Sequence, residues 1–142
     1  MADSYGLALQ NAVISTLRAD TDLQALVGQR VFASLTEGQP HPLAVVGGKI
    51  PRPLRTDGKA AATVRFSIEG HARPSDAGTS LGPSAVVDKI GEAVVAALDE
   101  QTIAVSGFDL VHLQWISGPE SAPEADGKTY QSITIFEALL DG

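Results

Sequence analysis

Cysteine is missing from this chain. That removes any disulfide framework and any thiolate metal site, and it fits a reducing compartment. No apolar run approaches the ~20 residues that a membrane span requires. The start, Met1-Ala2-Asp3-Ser4, has neither a basic n-region nor a long apolar core, so no signal peptide is expected. An excess of base is missing too. The formal net charge is −7, which makes the chain a poor candidate for gripping nucleic acid by its phosphates.

Known catalytic signatures are equally scarce. Gly127-Lys128-Thr129 looks like the end of a phosphate-binding loop, but Ala122 stands where the leading glycine is needed. A β-branched, strand-like run follows it instead of the helix whose N–H groups would hold phosphate. Gly47-Gly48-Lys49 lacks the following Ser or Thr. His41, His71 and His112 share no ligand spacing, and each reads as a surface or partner-facing residue. There is no G-x-S-x-G elbow and no H-E-x-x-H. Neither an enzyme, a cofactor nor a metal site is expected.

What is present is the material of one globular domain. The chain has 142 residues, 44% of them hydrophobic, enough for a core and too apolar for general disorder. The organising stretch is 80–98. Val87, Ile90, Val94 and Leu98 form one stripe at helical spacing, while Asp88, Lys89, Glu92 and Asp99 fall mostly off it. Pro83 suits the first turn, and Ser80 or Gly82 can cap. Gly91 sits mid-helix at a cost of about 1 kcal/mol relative to Ala, which suggests a close neighbour.

Residues 4–19 read as a first helix through Leu9, Val13 and Leu17, capped by Ser4 or Asp3. A break at Asp20 leads to a short helical turn over 22–27, capped by Thr21 and ended by Gly28. Five strands are expected near 31–35, 43–49, 62–70, 108–117 and 129–139. The clearest is 62–70, where Ala62, Val64, Phe66 and Ile68 alternate with Thr63, Arg65, Ser67 and Glu69. Val111, Leu113 and Trp115 are expected on one face, with Trp115 in the core beneath the main helix. The last two strands should pair as a hairpin. Pro51 and Pro53 exclude a central strand over 50–61, which reads as a long, partly extended loop or as an arm whose tip turns at Asp57-Gly58. Residues 117–128 read as a second long loop.

The expected fold is therefore α+β: one small, mainly antiparallel or mixed sheet of about five strands, with helices on one face, spanning 1–142 as a single domain. Charge is unevenly placed on it. Lys49, Arg52, Arg55 and Lys59 make the arm basic, and Glu120, Glu124 and Asp126 make the second loop acidic. These seven are the candidate interface residues; two solvated loops would give the same pattern.

Several segments are distinctive in wording as well as pattern. They are Leu9-Gln10-Asn11-Ala12-Val13, the run 23–32 (LQALVGQRVF), His41-Pro42-Leu43-Ala44-Val45-Val46-Gly47, Val64-Arg65-Phe66-Ser67-Ile68 and Ala96-Ala97-Leu98. With the order of elements, they give a chain that resembles, over nearly its whole length, the small tail-terminator (tail-completion) proteins of long-tailed bacteriophages and gene transfer agents. The resemblance implies a structural virion protein, assembled in the host bacterial cytoplasm, that forms a hexameric ring. The ring would cap the tail tube protein, end tail polymerisation and meet the head–tail connector, with DNA passing through without specific binding. It supplies no catalytic residues. Another neck or head–tail joining protein is the alternative within phage biology. A small α+β enzyme or ligand-binding domain would share the outline, and a deep polar pocket with converging titratable groups would mark it.

Overall fold

The computed structural model describes residues 4–56, 59–74 and 82–141, with backbone alone at 55–56 and 59–60. Helices α1 (Tyr5–Ala19) and α2 (Thr21–Val27) are followed by strands β1 (Val31–Phe32), β2 (Leu43–Thr56) and β3 (Lys59–Ala72). Helix α3 (Gly82–Leu98) and strands β4 (Asp109–Pro123) and β5 (Tyr130–Asp141) complete the chain. The five strands form one sheet in the order β1-β2-β3-β5-β4. Only the short β1–β2 contact is parallel; β2–β3, β3–β5 and β5–β4 are antiparallel. The expected α+β class and single mixed sheet are what the structure shows.

Local chemistry sets the helix boundaries. The Ser4 hydroxyl accepts from the Leu7 amide at 3.3 Å and caps α1. At α2 the cap is Asp20, not Thr21: the Asp20 carboxylate accepts from the Leu23 amide at 2.9 Å, and Thr21 is already helical. One aspartate thus ends the first helix and starts the second. Pro83 falls in the first turn of α3, where its missing N–H is no loss. Gly82 is the first residue of that helix, and Ser80 lies outside the described residues.

The helices share one face of the sheet. Val64, Phe66 and Ile68 from β3 are buried with Val87, Ile90, Val94 and Leu98 from α3 and with Leu9, Val13 and Leu17 from α1. Phe66 and Phe136 stack across β3 and β5 with ring centroids 5.7 Å apart. Small residues let α3 approach closely. A Cβ on Gly91 would lie 2.3 Å from Pro119 Cβ, and one on Gly70 would lie 2.9 Å from the Ile90 side chain. Ser132 and Thr134 point up at the same helix, and the Ser132 hydroxyl donates to Val87 O at 2.8 Å. Polar Ser132 and Thr134 are therefore the buried positions of β5 here, while Ile133 and Ile135 are half-buried on the opposite, helix-free face.

Three expectations need correction. The arm over 50–61 is sheet: β2 runs on to Thr56, paired with β3 from Leu43↔His71 to Thr56↔Lys59, with one extra residue inserted between Gly47 and Ile50. The proposed tip, Asp57-Gly58, lies outside the described residues. Pro51 and Pro53 are compatible with this strand because β1 pairs only with Ala44 and Val45, so the rest of β2 is an edge. The loop over 117–128 is likewise strand as far as Pro123. Trp115 is not in the core but 46% exposed. It sits opposite buried Phe136 on the edge strand β4, where extra residues at Val111, before Ser117 and before Glu120 break the alternation. The first of these turns Val111 out to 58% exposure while Leu113 is buried.

Candidate assembly surface

The basic residues lie along the β2–β3 hairpin and do not act alike. Lys49 sits in the β2 bulge and turns back on α1, where its ammonium donates to Gln10 Oε1. Arg52 is exposed on the edge of β2, opposite Thr63. It flanks a depression on the helix-free face, together with Ile50 and the Arg65–Glu137 ion pair at 3.1 Å. Arg55 and Lys59 pair through their backbones with Ala60 and Thr56 close to the end of the hairpin.

The acidic residues occupy the other edge and the other end of the sheet. Glu120 is exposed on β4, opposite Ile133. Asp126 organises the β4–β5 connection: its carboxylate accepts from the amides of Lys128 and Thr129 at 2.9 and 2.8 Å and from the Thr129 hydroxyl at 2.6 Å. Those hydrogen bonds, the Thr129 hydroxyl first, hold its pKa down at about 2. Glu124 is half-buried and bound by His71.

His71 itself is a residue that spacing misplaced. It is not on the surface but 1% exposed, one residue before the end of β3. Its Nδ1 lies 3.1 Å from Glu124 Oε2 and its Nε2 lies 3.2 Å from Glu69 Oε1. Burial pushes the imidazole pKa down, but the hydrogen bonds and charges of Glu69 and Glu124 outweigh it and leave the value raised. The Glu69 carboxyl is held low, chiefly by its hydrogen bond to His71. The sequence signal was the alternation itself: extended one step past Gly70, it places His71 on the same face as Glu69.

These charged side chains fasten turns and strands. A cleft near residues 35–41 gathers Glu37, His41, Arg73, Glu124 and Asp126, but Glu124 and Asp126 are already engaged as described. Among the described residues no three His, Asp or Glu side chains are placed to share a metal ion, and no helix is long and apolar enough to cross a membrane. Fold and surface together define a small single-sheet α+β module whose charge is laid out along strand edges and turns.

Comparison with known proteins makes the class specific. The model of the family "Tail completion protein gp17" matches residues 11–141, and the chain belongs to that family, which is one of structural proteins of the virion tail. Among solved structures, a chain from the virion of a native gene transfer agent particle is similar with a TM-score of 0.82 and 25% identity, covering 98% of this chain and 100% of that one. The gp17 protein of bacteriophage SPP1 shares the fold with a TM-score of 0.54 and 21% identity, covering 94% of this chain and 88% of that one. No curated protein sequence matches the chain.

Proposed function

We propose that this tail-completion protein closes into a hexameric ring that caps the tail tube at full length. The ring halts tube polymerisation and offers its other face to the head–tail connector, and DNA passes through its channel without specific binding. Its place is the tail or neck of the virion, and it assembles in the bacterial cytoplasm. The observation that carries this reading is the full-length likeness to a chain of a gene transfer agent virion, joined to membership of the tail-completion family.

The candidate interface residues remain Lys49, Arg52, Arg55, Lys59, Glu120, Glu124 and Asp126. Lys49, Glu124 and Asp126 would have to give up or share an intramolecular partner, so Arg52 and Glu120 are the better contacts. Charges at a rim act more on association rate and partner choice than on affinity. Light scattering and negative-stain imaging of the purified protein test the ring, and added protein should freeze the length of polymerising tail tubes. A particle that binds connector but leaves tube growth unaffected would be a different neck protein.

A further inference from the structure

Among the described residues no strand pairs with the outer side of β4 or with β2 beyond Val45, and the exposed apolar side chains are concentrated on these two strands. Ile50 and Leu54 lie on β2, and Val111, Trp115 and Ile116 lie on β4, with exposures from 37% to 61%. Only Leu7 and Leu35 among the other described large hydrophobics are comparably exposed. The register puts Val111 at the height of Ile50 and Leu54, with Trp115 one row beyond. The row through Ile50 runs Arg65, Glu137, Gln114, and the row through Leu54 runs Ala61, Asp141, Asp109. Gln114 and Asp109 bracket Val111.

Charge separates the two edges completely. Between Glu37 and Asp57 the sequence has Lys49, Arg52 and Arg55 and no acid. Between Lys89 and Lys128 it has Asp99, Glu100, Asp109, Glu120 and Glu124 among its acids and no lysine or arginine. Like edges would repel each other; unlike edges attract.

Neither edge is a free template for strand addition. Pro51 and Pro53, two residues apart, remove two amide donors from the same side of β2. On β4, Leu113 O accepts from the Glu100 amide at 2.9 Å, and the Trp115 amide donates to Asp99 Oδ1 at 2.9 Å. Side chains, not a continued ladder, are left to make contact.

We infer that the β2 edge of one copy, through Ile50, Arg52 and Leu54, docks against the β4 edge of a second copy, through Asp109, Val111 and Trp115. Two different, complementary surfaces make a head-to-tail contact, which closes into a ring or runs on as a filament. Equal heights on the two edges favour an axis running along the strands. This inference rests on the ring reading and supplies its subunit contact.

The chain has no cysteine and one tryptophan, which makes the test direct. A Leu54→Cys, Val111→Cys double variant treated with a short bismaleimide should give a covalent ladder that runs beyond dimer. The two single variants mixed should stop at dimer, and either alone should not link. In the unmodified protein, Trp115 emission should shift to shorter wavelength as concentration drives assembly. Arg52→Glu and Asp109→Lys should each raise the concentration needed for assembly about tenfold at low salt, and mixing the two variants should restore it. Multi-subunit particles that neither cross-link at this pair nor shift Trp115 would overturn the edge contact and leave the ring standing. A protein that stays monomeric at all concentrations, without cross-links, would overturn both.

Discussion

At Gly91 one absent methyl group decides how close helix and sheet can come. Alanine would normally favour a helix by about 1 kcal/mol over glycine. Here its Cβ would be 2.3 Å from Pro119 Cβ and 2.7 Å from Pro119 Cγ, and a proline ring cannot swing aside. Overpacking of this kind costs about 1–3 kcal/mol, so Gly91→Ala should lower stability, read as a smaller urea midpoint. A stabilised variant would mean that α3 rides higher on the sheet than described. His71 gives the second expectation at this scale. Its pKa is raised by Glu69 and Glu124, so its contribution is complete below the ordinary value of 6.5 and fades as pH climbs through the raised one. The Glu69 contribution is present above its ordinary 4.5 and fades as pH falls through its lowered value. Together they stabilise most between those two pH values. Replacing His71 with Leu leaves two carboxylates facing an apolar group, at a cost of about 1–3 kcal/mol. The loss, measured by urea unfolding, should be largest near pH 6 and shrink by pH 9. A difference that is flat with pH would show that packing alone is at stake.

At the scale of elements, β2 shows what a sequence can and cannot reveal. Pro51 and Pro53 correctly ruled out a central strand, yet an edge strand admits proline wherever the nitrogen faces away from its neighbour. Local composition could not tell an edge strand from a loop, because the difference lies in whether β3 is long enough to pair with it. Residues 117–123 misled for the same reason: Gly118, Pro119 and Pro123 read as loop, while β5 supplies the pairing. Trp115 and Val111 show a second limit. Alternation forecasts a face only while the register is regular, and the bulges of β4 are set by tertiary contacts. Elements with a strong period were legible: α1, α3 and β3 were found, as was the burial of Val64, Phe66, Ile68, Ile90, Val94 and Leu98. The close neighbour suggested by Gly91 is Pro119. The edge argument carries its own test. Pro51→Thr with Pro53→Thr returns two amide donors to an exposed edge, and edge-to-edge pairing follows from such donors. The double variant should aggregate or form irregular oligomers, seen as polydisperse light scattering, with little change in thermal stability. A variant that assembles normally would show that the prolines do not guard this edge.

For the molecule as a whole, the proposed ring must let DNA slide without holding it. A wall of Lys and Arg would release counterions on binding and grip the duplex with steep salt dependence. Each chain instead carries a formal charge of −7, and repulsion from distant residues is screened within about 8 Å at physiological salt. Only side chains on the wall itself then count. Among the described basic side chains of the β2–β3 hairpin, Arg52 is the cation to examine, because Lys49 is turned onto Gln10 and Arg65 is paired with Glu137. If Arg52 lies between subunits, as the edge contact requires, it is withdrawn from the channel. The same contact therefore supplies attraction between copies and takes this cation out of the passage. The assembled protein should show no sub-micromolar binding to linear duplex DNA in a gel-shift titration at about 50 mM salt, a condition that exaggerates weak electrostatic attraction. Tight, salt-sensitive binding that vanishes when Arg52 and Arg55 are neutralised would place the basic edge on DNA, and would remove it from the subunit contact at the same time.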